Sequence, residues 1–242
     1  PFIEFYKVSP NLNREMIVKE ILDTELMFTP GLDVKYSDLG IIVLTDIVSV
    51  VTRRRLDDLA MSWIYTPLGM GSTFYNPGEE LLSRVVPTEN DSYFRNKLLK
   101  GIVHDENAFL MDGISGHAGL FSTASDIGRY SKMILDDGIW CGTRYMKSSV
   151  IEHFTTKHDI EINSDRTIGW DTPSINGRSS AGDYFSDGSF GHLGFTGTSM
   201  WIDPNQEIIV VLLTNRVYPS RDNPGMYQVR RKFHTEVMKA IM

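Results

Sequence analysis

The chain has 242 residues, 41% of them hydrophobic and 23% charged, with a formal net charge of -7 at pH 7. This composition suits one large globular domain or two small subdomains with a sizeable core, and the acidic balance without a basic stripe argues against a nucleic-acid partner. The single cysteine, Cys141, excludes an internal disulfide and a cysteine metal cluster, and no apolar run approaches the roughly 20 residues that span a bilayer.

In chain order, apolar residues Met16, Ile17, Ile21 and Leu22 recur at helical spacing between Asn11 and Glu25, with Asn13 as the N-cap. Pro30-Gly31 marks a turn. Ser37 or Asp38 then caps a buried helix over Ile41 to Val51, although the β-branched content there would also permit a strand. Leu56, Leu59, Ala60, Trp63 and Ile64 share one face of a helix that should stop at Thr66-Pro67. From Asn76 to Gly119 the chain is long, polar and poorly periodic, as expected of a wrapping, functional segment. Helices follow over Ser125 to Leu135 and Lys147 to Phe154.

From Thr167 the pattern changes to period two. Strands are expected at Thr167-Trp170, Ser199-Ile202 and Glu207-Thr214, then a C-terminal helix from Met226 to Met242 with Val229, Phe233, Val237 and Ile241 on one face. The class is α+β: a mainly helical subdomain over 1–160, then antiparallel strands with a covering helix over 161–242, together one domain. The triplet Arg53-Arg54-Arg55 and the pair Arg230-Arg231 are read as helix-end and solvated charges.

The stretch Gly191-His192-Leu193-Gly194-Phe195-Thr196-Gly197-Thr198-Ser199 concentrates the chemistry. Glycines at 194 and 197 permit close approach of another molecule to the backbone, and a histidine stands at the entrance. It reads either as one wall of an active site or as an ordinary glycine-kinked strand.

Four pieces in order resemble the serine β-lactamase and penicillin-binding-protein family, in particular its class C-like branch of esterases, D-aminopeptidases and D,D-peptidases. Tyr36-Ser37-Asp38-Leu39-Gly40 is similar to the Tyr-x-Asn element that opens a helix. Pro67-Leu68-Gly69-Met70 is similar to a helix exit of the family. Gly116 to Asp126 is similar to its glycine-rich turn, and His192-Leu193-Gly194 falls where it has Lys-Thr-Gly. The resemblance implies a β-lactamase/transpeptidase-like fold and acyl transfer without a cofactor or metal. It also implies a small-molecule or peptide substrate and a bacterial periplasm or cell-envelope location.

Two departures stand out. The family's nucleophile lies in Ser-x-x-Lys, and no serine here has lysine three positions on; upstream of Tyr36 only Ser9 occurs. The expectation is a C-terminal portion of a longer protein, inactive alone; the alternative is a non-catalytic module that binds a peptide or partner. Histidine also replaces the strand lysine, which weakens recognition of a carboxylate and favours an esterase or peptidase.

The resemblance assigns Tyr36 as proton relay and Asp38 as hydrogen-bond acceptor. It gives His192 a contact to Tyr36 or substrate and makes the Phe195 N–H one oxyanion donor. Gly194, Thr196, Gly197 and, at the cleft mouth, His117 would contact substrate. Simple readings remain beside these: a helix cap for Asp38, a turn stabiliser for His117. Adjacent His104-Asp105-Glu106 has metal-ligand residue types but poor geometry for one ion. An exposed edge along Ile208 to Leu213 would favour a homodimer.

Overall fold

A computed structural model of the chain describes residues 12–158, 164–174, 179–223 and 225–242. Ser9 and Asn11 lie outside the described residues. Two compact units form. One comprises Lys35–Ser122 and Tyr218–Arg221 with the segment preceding Pro30; the other comprises Thr123–Val217 and Asp222–Met242 with Pro30–Val34.

In the first unit, α1 (Arg14–Leu22) starts where Asn13 caps it, its side chain accepting from the Met16 N–H at 3.0 Å. α2 (Asp38–Thr52) starts at Ser37, which accepts from the Gly40 N–H at 3.3 Å. Ile17, Val18 and Ile21 pack with Ile42, Leu110 and Met111 as the core of this unit. The expectation of a buried α2 does not hold. Only Ile42 and Thr45 are buried, while Leu44, Ile47, Val50 and Val51 are exposed, because α1 covers a single stripe of a helix that is apolar nearly all round.

The expected stop at Thr66-Pro67 is also corrected. α3 (Leu56–Ala60) passes through a π turn (Met61–Tyr65) into α4 (Thr66–Leu68), ending at left-handed Gly69. The Thr66 N–H bonds back to the Met61 carbonyl five residues earlier. This widened turn lets Pro67 enter and shifts the helix face, so Tyr65 and Leu68 are buried while Trp63 is 61% exposed.

The long segment that follows contains only short elements. β1 (Phe74–Tyr75) pairs with β4 (Leu120–Phe121), and β2 (Asn90–Asp91) with β3 (Lys97–Leu98). A 3-10 stretch (Glu79–Arg84) and α5 (Glu106–Leu110) complete it.

The second unit contains α6 (Ala124–Leu135), the small β5–β6 ladder (Ile139–Trp140, Thr143–Arg144) and α7 (Ser148–Thr155). Its sheet is the meander β7 (Phe190–Leu193), β8 (Ser199–Asp203) and β9 (Ile208–Leu212), with α6 against β8 and β9. The β8–β9 hairpin turns where Asp203 accepts the Asn205 and Gln206 N–H groups at 3.0 and 3.1 Å. Thr167-Trp170 is not a strand. It is the tight turn between the bridged residues Arg166 and Asp171, and Asp171 in turn bridges Gly191 on β7.

The C-terminal helix is α8 (Met226–Ile241), and its buried face differs from the apolar stripe of the sequence. Met226, Arg230, His234, Thr235 and Met238 are buried, whereas Val229 and Ile241 are each 55% exposed. Trp201, Val210, Phe185, Ala181 and Met238 form the core of this unit, flanked by Phe233 and Val237. Arg230, expected to be a solvated charge, is 5% exposed.

Candidate active site

The stretch singled out in the sequence is β7 and the turn leading into β8. His192 pairs with Met200 and Leu193 with Ser199, so the turn spans Gly194 to Thr198. The Gly194 N–H donates to the Thr198 carbonyl at 2.8 Å and the Gly197 N–H to the Gly194 carbonyl at 3.0 Å. Gly197 has φ +104, and a Cβ there would lie 2.5 Å from Thr214 Oγ1; at Gly194 a Cβ would lie 2.1 Å from Thr198 Oγ1. The left-handed φ demands glycine at 197, whereas at 194 a Cβ would have to displace the Thr198 hydroxyl.

Two arginines hold this turn, Arg216, which no sequence pattern singles out, and Arg230, read from the sequence as a solvated charge. Arg216 Nε donates to the Phe195 carbonyl at 2.7 Å, its backbone N–H donates to the Thr196 carbonyl at 2.8 Å, and its guanidinium stacks 4.5 Å from the Phe195 ring centre. Arg230 Nη2 donates to the Gly194 carbonyl at 3.0 Å and the Thr198 carbonyl at 3.1 Å. Next to it, His234 lies fully buried with Nε2 2.9 Å from Ser199 Oγ. Burial, with a smaller contribution from the Arg230 charge, pushes His234 down to about 4. The sequence signal for Arg230 and His234 is a polar pair at i, i+4 on a helix whose apolar residues Val229, Phe233, Val237 and Ile241 share another face.

His192 Nδ1 lies 2.9 Å from the Leu193 carbonyl. A carbonyl only accepts, so Nδ1 is the donor in this contact. A lysine at this position would offer only donors.

The remaining expected site residues lie in the first unit. Tyr36 immediately precedes the Ser37 cap of α2 and is 58% exposed, and Asp38 sits in the first helical turn. The loop bearing His117 is tied to the same helix, since the Gly116 N–H donates to Thr45 Oγ1 at 2.9 Å. His117 uses both ring nitrogens internally, Nδ1 with Ser115 Oγ and Nε2 with Asp105 Oδ1, each at 2.8 Å. Ser115 is 1% exposed and the Asp105 side chain 32%, so this serine–histidine–aspartate chain runs from the interior toward the surface and clamps the loop to the start of α5.

The triplet His104-Asp105-Glu106 spreads rather than converges. His104 bonds Glu89, Asp105 caps α5 through the Ala108 N–H, and Glu106 meets Arg221. Glu89 also receives the Arg221 guanidinium at 2.7 Å, and Asp91 receives Arg95 Nε at 2.6 Å. Burial alone would raise these two carboxyls, but the hydrogen bonds they accept win and hold each at about 2.

The family model described as Beta-lactamase matches residues 4–234. The chain belongs to the beta-lactamase family. Over 231 residues, this beta-lactamase-family chain is 33% identical to an Escherichia coli K12 protein named "Putative D-alanyl-D-alanine carboxypeptidase", covering 85% of this chain and 51% of that one. It is 30% identical over 236 residues to the N-acetylmuramyl-L-alanine amidase of Bacillus subtilis 168, covering 89% and 52%. The chain thus spans about half the length of the curated relatives it matches. Among solved structures, a penicillin-binding-protein homologue from Caulobacter crescentus superposes with a TM-score of 0.70 at 14% identity, covering 94% of this chain and 64% of that one. That likeness establishes the β-lactamase/penicillin-binding-protein fold, with its helices and antiparallel sheet.

Proposed function

We propose that this chain is the portion of a cell-envelope serine hydrolase that carries the His-x-Gly wall of the cleft, and that the complete protein cleaves an amide, ester or β-lactam through an acyl-serine. The observation that carries this reading is the Gly194–Thr198 turn after His192, held by its own backbone hydrogen bonds and by Arg230, in the strand where the family has its oxyanion donor. The relatives' names, a D-alanyl-D-alanine carboxypeptidase and an amidase, favour an amide of the cell wall.

In this reading a serine of an upstream Ser-x-x-Lys attacks the carbonyl carbon, and its proton passes through lysine and Tyr36 to the departing nitrogen. The oxyanion is held by the serine's own N–H and by Phe195. Water then hydrolyses the ester to release the acid and regenerate the hydroxyl. Asp38 acts as an acceptor, and His192 hydrogen-bonds Tyr36 or substrate. Gly194, Thr196 and Gly197 form the backbone edge that the substrate follows, and His117 shapes the mouth through its loop.

The test is the full-length protein with a fluorescent penicillin and a chromogenic ester. Labelling of a serine upstream of this chain, with ester turnover, is expected. A Ser-x-x-Lys present upstream with neither label nor turnover would sink the proposal, and its absence from the reading frame would favour the non-catalytic binding module. No helix among the described residues is long and apolar enough to cross a membrane.

We further expect this chain by itself to dimerise. Among the described residues β9 is an outer strand of the sheet, and Ile208–Leu212 is wholly apolar. Light scattering should give the dimer mass; a monodisperse monomer contradicts the expectation.

A further inference from the structure

The buried Arg230 has no role in the chemistry proposed above. Its Nη2 is committed to two carbonyl oxygens, and its Nε has no hydrogen-bond partner among the described residues. Burying a guanidinium against neutral carbonyls is expensive, and an apolar side chain of similar length would fill the same slot with less desolvation. Burial draws its pKa below the ordinary arginine range. A charge retained under these conditions acts on what it holds.

What it holds is the Gly194 carbonyl. The Gly194–Phe195 peptide is trans, the cis bond among the described residues being Tyr218–Pro219. In a planar trans peptide the C=O and the following N–H point in opposite directions. Arg230 pulls the Gly194 oxygen toward α8, so the Phe195 N–H of the same plane is aimed away from α8. Its second bond, to Thr198 O, fixes the other end of the turn, and Arg216 fixes the Phe195 and Thr196 carbonyls between them.

We propose that Arg230 is a positioning residue for the oxyanion hole: through the Gly194 carbonyl it orients the Phe195 N–H. This rests on the hydrolase reading of the same strand, and it assigns to the C-terminal helix a part in transition-state stabilisation that no contact with substrate would reveal.

The test uses the full-length protein as wild type, R230M and R230K. Methionine keeps the length and removes the donors; lysine keeps the charge and reaches one carbonyl at a time. In R230M the melting temperature should hold or rise while the acylation rate falls about 10- to 100-fold, the range for a misaimed rather than a deleted oxyanion donor. KM should change little, and R230K should fall between the two. Hydrogen exchange at the amides of residues 194–198 should accelerate at least about tenfold in R230M, with β8 and β9 unchanged.

Acylation within threefold of wild type in folded R230M, or acylation and melting temperature falling together, overturns the proposal. If R230M does not fold, R230K with wild-type exchange and acylation overturns it equally. If the wild type acylates nothing, the hydrolase reading has failed, and the exchange at 194–198 alone decides whether Arg230 orients the turn.

Discussion

Replacing Glu89 by alanine is expected to lower the unfolding free energy by about 3 kcal/mol, which for a chain of this size is roughly 6–12 °C in Tm. Glu89 is 4% exposed and sits at the centre of a charge network. Its carboxylate accepts from the Arg221 backbone N–H at 2.8 Å, from Arg221 Nη2 at 2.7 Å and from His104 Nε2 at 2.7 Å. Arg221 lies 132 residues away in sequence, so one side chain fastens the Tyr218–Arg221 segment back onto the first unit. The Asn90 N–H adds a bond to the Pro219 carbonyl at 3.0 Å.

Removing one member of a buried pair leaves the other uncompensated, commonly a loss of about 3–5 kcal/mol. The lower end applies because the Arg221 side chain is 30% exposed and retains Glu106 at 2.7 Å. The carboxyl titrates at about 2 in the folded chain against 4.5 ordinarily. Between those values the unfolded chain binds more protons, so the contribution is complete above about pH 4.5 and is lost as pH falls toward 2. Calorimetry of wild type and E89A at neutral pH decides the matter; midpoints within 2 °C of each other would refute it.

Much of the fold was legible because local signals agreed with the tertiary ones. The Asn13 cap and the β8–β9 hairpin around Asp203 both rest on short-range chemistry, and they occur where that chemistry places them. The misreadings share a cause. On α8 the stripe Val229–Phe233–Val237–Ile241 is more apolar than Met226–Arg230–His234–Met238, yet the second faces the sheet, because Arg230 and His234 find partners there in Gly194, Thr198 and Ser199. Periodicity weighs side chains by hydrophobicity and cannot see that a polar one is satisfied. The π turn at Met61–Tyr65 shifted a helix face for the same kind of reason: the accommodation of Pro67 is a backbone event with no signature in the apolar spacing. For the candidate site, the motif picks out the Gly194–Thr198 turn, whereas Arg216 and Arg230, which hold that turn, come from other elements and carry no motif at all.

His234 should make the second unit acid-sensitive well above the carboxylate range. It is fully buried, its Nε2 is committed to Ser199 Oγ at 2.9 Å and its Nδ1 has no partner among the described residues. Phe185 and Phe233 approach edge-on at 5.9 and 5.4 Å between ring centres. Among the described residues the charge that acts on it is Arg230, of the same sign. The ring therefore titrates at about 4 when folded and near 6.5 when unfolded. Between these values the unfolded chain binds the extra proton, so stability is complete above about pH 6.5 and is lost as pH falls through 4. A displacement of this size corresponds to about 3 kcal/mol. His234→Gln, neutral at every pH and able to reach Ser199, should flatten that slope. Urea unfolding at pH 7, 5.5 and 4 should show wild type losing about 3 kcal/mol more than the variant across the range; parallel slopes would exclude His234 as the sensor. Because the imidazolium would form beside Arg230 and behind Ser199, the first element of this unit to loosen in acid should be the Gly194–Thr198 turn that these groups hold.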